Sequence, residues 1–270
     1  MMKKSLVAAA ALFAVTGAAQ AQVAIYGLID MCYGKSIFSE WVGSKADFHS
    51  GGDNFSSECN STTRVGIKGS TDVGSGVKAN FKFETAGIKS DGAVGETGQA
   101  FFRRSAYGGL SGSFGEVRLG RQNSVVFDTM LDYDFNGASN GVSSSGATDA
   151  AVWLAHDAPR QSGILKYISP NFSGATVMAS YKPKANGTSD NFAASVKYDA
   201  GPLSVAVAVE SKVAATGFGS KSFASVAGTY DFKVAKVMLG YANGGDVATG
   251  GTGKGPVSYT HLTLPTKRIV

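Results

Sequence analysis

The stretch LSVAVAVESK, Leu203–Lys212, alternates almost without fault. Leu203, Val205, Val207 and Val209 fall on one face of an extended chain, and Ser204, Ala206, Ala208 and Glu210 fall on the other. Successive side chains of a strand point to opposite faces, so a period of two marks a β-strand with one apolar side. ATVMASYK (175–182), NFAASVKY (191–198) and AKVMLGY (235–241) repeat the pattern. In them Ala175, Val177, Ala179 and Tyr181 oppose Thr176, Met178, Ser180 and Lys182, and Val237, Leu239 and Tyr241 oppose Lys236 and Met238. One face is apolar and often ends in an aromatic, while the other is small, polar or charged. The chain is read as all-β and antiparallel.

A soluble sandwich would alternate too. Two features favour a transmembrane barrel. Aromatics sit near strand ends, at Tyr26, Tyr167, Tyr181, Phe192, Tyr198, Tyr230 and Tyr241, where an interfacial girdle belongs. The connections also alternate in length. Strands are expected near 23–34, 60–69, 76–86, 101–110, 114–121, 160–169, 174–183, 190–199, 202–212, 220–231 and 234–243. The gaps at 35–59, 87–99 and 122–159 are long, whereas STDVGSG, SGSF, PNFSG, AGP and DFK are tight. Short turns at one rim and longer loops at the other are the pattern of an outer-membrane barrel. Strands near ten residues suit a tilted crossing.

The N-terminal stretch MMKKSLVAAAALFAVTGAAQAQ has two lysines, a short apolar run and Ala19-Gln20-Ala21. It reads as a secretory signal peptide over residues 1–21, cleaved to leave Gln22. The remaining chain has no apolar run near the roughly 20 residues of a membrane helix. Its formal charge of +5 comes mostly from Lys3 and Lys4 near the start and Lys267 and Arg268 near the end. Without these four the balance is 21 basic to 20 acidic residues, which gives no field of the kind that recruits nucleic acid. Charged residues make up 17%, and glycine 36 of 270, which is lean in charge and rich in glycine for a soluble domain. Cys32 and Cys59 are too few for a disulfide scaffold; an exported chain permits a bridge between them or two unpaired thiols.

Five stretches resemble a known family: VAIYGLIDMCYG, TTRVGIKGSTDVGSGVKANFKFETA, FFRRSAYGGLSGSFGEVRLGRQ, LKYISPNFSGATVMASY and VAGTYDFKVAKVMLGYANGG. They are similar, in order and in register, to the general porins of Gram-negative bacteria in the β-proteobacterial form. GSFGEVRLGRQ and YISPNFSG are the most specific. The resemblance implies a 16-stranded barrel, a homotrimer in outer-membrane lipid and lipopolysaccharide, and a third loop folded into the lumen. It implies passive diffusion of ions and small hydrophilic solutes, with no cofactor, no metal and no catalytic residue. The long gap at 122–159 is the third long connection, found without reference to the family.

A pore selects by ringing its narrow point with charge. Arg64 shares a face with Gly66 and Lys68, and Arg160 with Ser162 and Lys166. Arg103 shares parity with Ser105 and Tyr107, with Arg104 beside it as the competing choice, and Arg118 shares a face with Glu116. By the resemblance, Arg64, Arg103 and Arg160 form a basic ladder on the barrel wall, with Arg118 a further candidate. Asp128, Asp132 and Asp134 of VFDTMLDYDFNG form the acidic side on loop 3. A weak anion preference is the expectation. The same arginines could instead be ordinary solvated residues paired with neighbouring acids. The competing function is a surface-binding protein, an adhesin or phage receptor, acting through the outer loops. Enzyme signals are poor. GASNG (137–141) matches a nucleophile-elbow pattern but lacks the strand and helix that pattern needs. His49, His156 and His261 stand at no metal-ligand spacing.

The last fourteen residues, VSYTHLTLPTKRIV, fit poorly. By the resemblance the family ends on a strand with a C-terminal aromatic, and about eleven of sixteen strands precede this tail. Val257–Thr266 is what GTC-TCT-TAT-ACA-CAT-CTG-ACG-CTG-CCG-ACG encodes, a DNA resembling a sequencing-library adapter. The expectation is a barrel fragment over 22–256 and a non-native tail over 257–270, leaving an open sheet with an unpaired edge near 234–243.

Overall fold

The computed structural model describes residues 22–33, 55–57, 61–88, 92–94, 100–134, 159–184, 190–211, 222–243 and 254–262. The strands are β1 (Gln22–Leu28), β2 (Met31–Tyr33), β3 (Phe55–Ser57), β4 (Arg64–Gly74), β5 (Val77–Glu84), β6 (Ser105–Gly112) and β7 (Gly115–Asn123). After a helix α1 (Val125–Met130) and a 3-10 turn (Leu131–Tyr133) come β8 (Arg160–Ile168), β9 (Ala175–Lys182), β10 (Asn191–Ala200) and β11 (Leu203–Glu210). The last three are β12 (Phe223–Asp231), β13 (Ala235–Asn243) and β14 (Lys254–Leu262).

Twelve strands form one sheet in the order β1-β4-β5-β6-β7-β8-β9-β10-β11-β12-β13-β14, and β2 pairs with β3. Every pairing is antiparallel, for example Val207 opposite Val226 between β11 and β12. The expected all-β meander is present, and the alternating loop lengths place the tight turns at one rim. Gly74, Ser75 and Gly76 all take positive φ in the β4–β5 turn.

Two expectations need correction. The first strand does not run unbroken to 34. It breaks at Ile29–Asp30, where the Asp30 N–H donates to Thr63 Oγ1 at 3.0 Å and Asp30 Oδ2 accepts the Ser61 N–H at 2.6 Å. A carboxylate able to capture loop backbone competes with the sheet ladder. The edge at 234–243 is also not unpaired: β14 lies along β13, with Val257 opposite Gly240 and Tyr259 opposite Met238. Pro256 lacks an N–H, but β14 is the last strand of the sheet, where a missing donor is tolerated. The signal segment, Cys59 and residues 263–270 lie outside the described residues.

The alternation read from the sequence sorts the two faces. Ile25 (76% exposed), Leu119 (62%) and Val207 (49%) belong to a continuous outer apolar face. A belt of that extent is unsuited to water and suited to lipid. Phe192, Tyr198, Tyr230 and Tyr241 are exposed on it, as a girdle requires. Tyr26 is the exception. On β1 it has the parity opposite to Val23 and Ile25, and its ring lies inward over β4.

The inner face of β10–β13 is built from small residues. Ala193, Ser195, Ala206, Ala208, Ser225 and Ala227 are all buried there. α1 and the 3-10 turn lie on this platform, packed against β9–β11 and β12–β13 respectively. Val126, Met130 and Tyr133 form one apolar cluster with Ala206, Ala208, Phe223, Ala227 and Ala242. Six residues are too few to hold a helix alone, so packing supplies its stability. Each fully buried Val or Met contributes about 1.5–3 kcal/mol. Ser124 caps the start, its Oγ accepting the Phe127 N–H at 3.1 Å. Thr129 donates to Ser195 Oγ at 2.8 Å, fixing the helix to β10.

Candidate functional site

Opposite the small-residue platform, the inner face of β1 and β4–β8 carries long charged and aromatic side chains. Strand register arranges them in rows. Tyr107, Lys82 and Lys68 stand side by side across β6, β5 and β4. The neighbouring row is Ser105, Glu84, Gly66 and Tyr26. Gly66 has a steric reason: a Cβ there would come within 2.3 Å of the Tyr26 ring. With no side chain at 66, the ring lies flat across β4 and its hydroxyl donates to Glu84.

Glu84 is the hub of this wall. It accepts from Arg104 Nε at 2.6 Å and lies 3.1 Å from Lys82 Nζ. Arg104 is therefore the residue of the Arg-Arg pair that enters the lumen network. Arg103 precedes β6 rather than lying on it, and its carbonyl accepts from Arg121 Nε at 2.5 Å. Strand parity leaves Arg103 and Arg104 as alternatives, because both precede β6 and parity has no force outside the strand.

Arg64 and Arg160 lie within electrostatic range of each other. Arg64 Nη1 donates to Ser61 Oγ at 3.1 Å and to the Thr62 carbonyl at 2.9 Å. The Arg160 guanidinium lies 5.5 Å from the Phe127 ring centroid and within electrostatic range of Arg64, Arg104, Arg121 and Glu84. It does not get there by simple alternation. The β7–β8 register slips between Gly120/Ile164 and Gln122/Gln161, so β8 carries an extra residue. Gly163 supplies the positive φ of +67° at that bulge. The slip turns Gln161 inward, where it donates to Glu210 at 2.9 Å, and leaves Ser162 to accept from Arg121 Nη1 at 2.7 Å. Arg118 stands lower on β7, paired with Glu116 at 2.7 Å and 4.9 Å from the Tyr107 ring centroid. Lys68 lies over the Tyr26 ring at 5.5 Å.

The loop 3 acids do not stand free across a gap. Asp128 meets Lys166 Nζ at 2.5 Å and accepts from Asn123 Nδ2 at 2.6 Å. Lys166 faces inward as expected, yet its side chain is 0% exposed because α1 covers it. Asp132 meets Lys197 Nζ at 2.6 Å, and Lys197 also lies 3.3 Å from Asp199. Both aspartates thus clamp the loop to the wall beneath it. Asp134 follows the 3-10 turn as its C-cap. Tyr133 donates or accepts at Ser204 Oγ, 2.8 Å away, and burial pushes its phenol above the usual range. Residues 135–158, with GASNG and His156, lie outside the described residues.

Sequence reasoning missed the inward placement of Tyr26 and the part played by Glu84, while Arg104 was one of the two arginines it left open. Parity within QVAIYGL would have found Tyr26, because Val23 and Ile25 set the outer face. Arg121 stands apart from this wall: it shares the parity of Val117 and Leu119 and reaches the exposed Ser162.

A family model described as Gram-negative porin matches residues 8–266. The chain belongs to the Gram-negative porins. It is similar to outer membrane porin protein 32 of Delftia acidovorans, with 32% identity over 256 residues, 87% of this chain and 68% of that protein. An outer membrane porin protein of Bordetella pertussis is 30% identical over 98% of this chain and 74% of its own length. Among solved structures, an anion-selective porin from Comamonas acidovorans matches with a TM-score of 0.62 at 23% identity, over 89% of this chain and 72% of that one. As a porin the protein belongs to the outer membrane and is a passive channel, not an enzyme.

Proposed function

We propose that this porin is a general diffusion channel for ions and small hydrophilic solutes with a preference for anions. One observation carries this reading. Arg64 is held by neutral acceptors, a backbone carbonyl and a serine hydroxyl, and Arg160 lies against an aromatic ring. These contacts fix the guanidinium groups without cancelling their charge. The facing carboxylates Glu84, Glu116, Asp128 and Asp132 each have a basic partner within 3.1 Å. Among the described residues the uncompensated sign on this wall is positive, and a low-dielectric wall strengthens its field. That the Comamonas neighbour is an anion-selective porin is in keeping with this reading. The basic wall comprises Arg64, Arg104, Arg118 and Arg160, with Arg103 next to Arg104 and Lys68 beside it. The outer apolar belt would meet lipid and lipopolysaccharide, and the intact assembly would be a homotrimer.

The test is a reversal potential across a planar bilayer under a KCl gradient, using the intact protein purified from outer membranes. The expected sign is that of chloride passing more readily than potassium, with conductance lost in groups of three equal steps. Cation preference would sink the reading.

A further inference from the structure

Three aromatic rings on the channel side, Tyr26, Tyr107 and Phe127, share one property: each has a cation over its face. Lys68 and Lys82 lie 5.5 and 5.7 Å from the Tyr26 centroid. Arg118 lies 4.9 Å from Tyr107, and Arg160 lies 5.5 Å from Phe127. The rings come from three different elements, β1, β6 and α1.

Two of them are neighbours along the wall: Lys82, which lies over Tyr26, stands directly opposite Tyr107. Phe127 lies on α1, with Arg160 of β8 over its ring. Tyr107 is within electrostatic range of Tyr26. Tyr107, Lys68 and Lys82 line a common hollow of about 420 Å³, with Gln22, Asn80 and Glu116. Charge alone needs no rings, since an aliphatic wall would present the same bases. Gly66 is small where Tyr26 crosses it, so the flat placement of that ring is accommodated by the backbone beneath.

We infer that these ring and cation pairs form a track that favours aromatic carboxylates over aliphatic carboxylates of equal charge and similar size. This rests on the anion-channel reading above. A carboxylate ion-pairs with the guanidinium or ammonium, and the ligand's ring then lies against the protein ring or the planar guanidinium. Aromatic contacts in offset or edge geometry add affinity beyond area burial, and a guanidinium stacks on a π-face. A saturated ring of the same charge makes the ion pair and forfeits the second contact.

The experiment compares benzoate with cyclohexanecarboxylate. Bi-ionic reversal potentials against chloride are measured at neutral pH for the intact protein from outer membranes, and for Phe127→Leu and Tyr107→Leu. The wild type is expected to favour benzoate by about threefold, the scale of one aromatic contact. Each variant should lower that ratio by a larger factor than it lowers the chloride-over-potassium ratio. A wild-type ratio of one overturns the inference without needing a variant that folds. So does a ratio untouched by both substitutions. If the benzoate ratio and the chloride preference fall by the same factor, the rings only hold the bases in position and the inference is overturned. Absence of any chloride current is a different result: it removes the channel reading itself, and this inference with it.

Discussion

The inner face of this sheet has two halves that obey the same alternation and end as opposites. On β4–β7 the inward positions hold Arg64, Lys68, Lys82, Glu84, Tyr107 and Arg118 and remain a channel wall. On β10–β13 the inward positions hold Ala193, Ser195, Ala206, Ala208 and Ala227 and are covered by α1 and its 3-10 turn. A hydropathy pattern assigns both to the side away from lipid. Side-chain size, not polarity, then decides which half stays open. Long side chains fill the space above β4–β7, and alanine and serine leave the space the loop fills; Lys166, long yet covered, is the one that Asp128 of α1 binds. The loop returns the favour by bringing Val126, Met130 and Tyr133 to an apolar surface that would otherwise face water.

The largest effect should come from erasing that difference. Ala208 is fully buried beneath α1, so Ala208→Arg places a long cation where nothing can solvate it. Burial of an unpaired charge costs about 3–5 kcal/mol, enough to lift the loop from the platform. Single-channel recordings should show higher conductance and noisier closures, and an unchanged trace would mean that α1 is not held by this face. A smaller effect separates the two ends of one clamp. Asp128→Leu leaves Lys166 buried without its carboxylate and should destabilise by about 3 kcal/mol in urea unfolding from detergent. Lys166→Met leaves Asp128 partly exposed and still bonded to Asn123, so about 1 kcal/mol is expected. Equal losses would show that burial does not govern this pair. The smallest effect belongs to the outer clamp. Asp132 and Lys197 are both partly exposed, and Lys197→Ala should change stability by less than about 1 kcal/mol in the same assay.

The fold was legible because strand alternation depends on neighbours in the chain, and these are written in order. Leu203–Glu210 needs no tertiary information to reveal which residues face lipid. The site was legible where parity ran unbroken, as for Arg64 and Arg118. It blurred wherever the ladder departs from regularity. Arg103 and Arg104 could not be separated because β6 begins at Ser105, just beyond them. Arg160 reached its expected neighbourhood by a route that parity misstates, since the bulge at Gly163 shifts the register before it. Gly163 inside a strand was the one available signal. The loop 3 aspartates were recognised as acids in the right loop, but a charge does not announce its partner. Lys166 and Lys197 claim them because α1 settles on β9–β11, a contact between segments dozens of residues apart. β14 was passed over because its adapter-like codons and the lack of the family's closing aromatic weighed more than the β-forming Val257, Tyr259 and Thr260.

The seating of α1 has one more consequence. Among the described residues, what rises from the inner face is six residues lying on a tray of alanines, not a further strand. Strand number changes only with whole hairpins and must satisfy lipid, turn and neighbour together. A helix on a tray changes one side chain at a time and touches none of these. Bore and bilayer fit are thus written in separate parts of the chain, and selection can revise one while the other stays as it is.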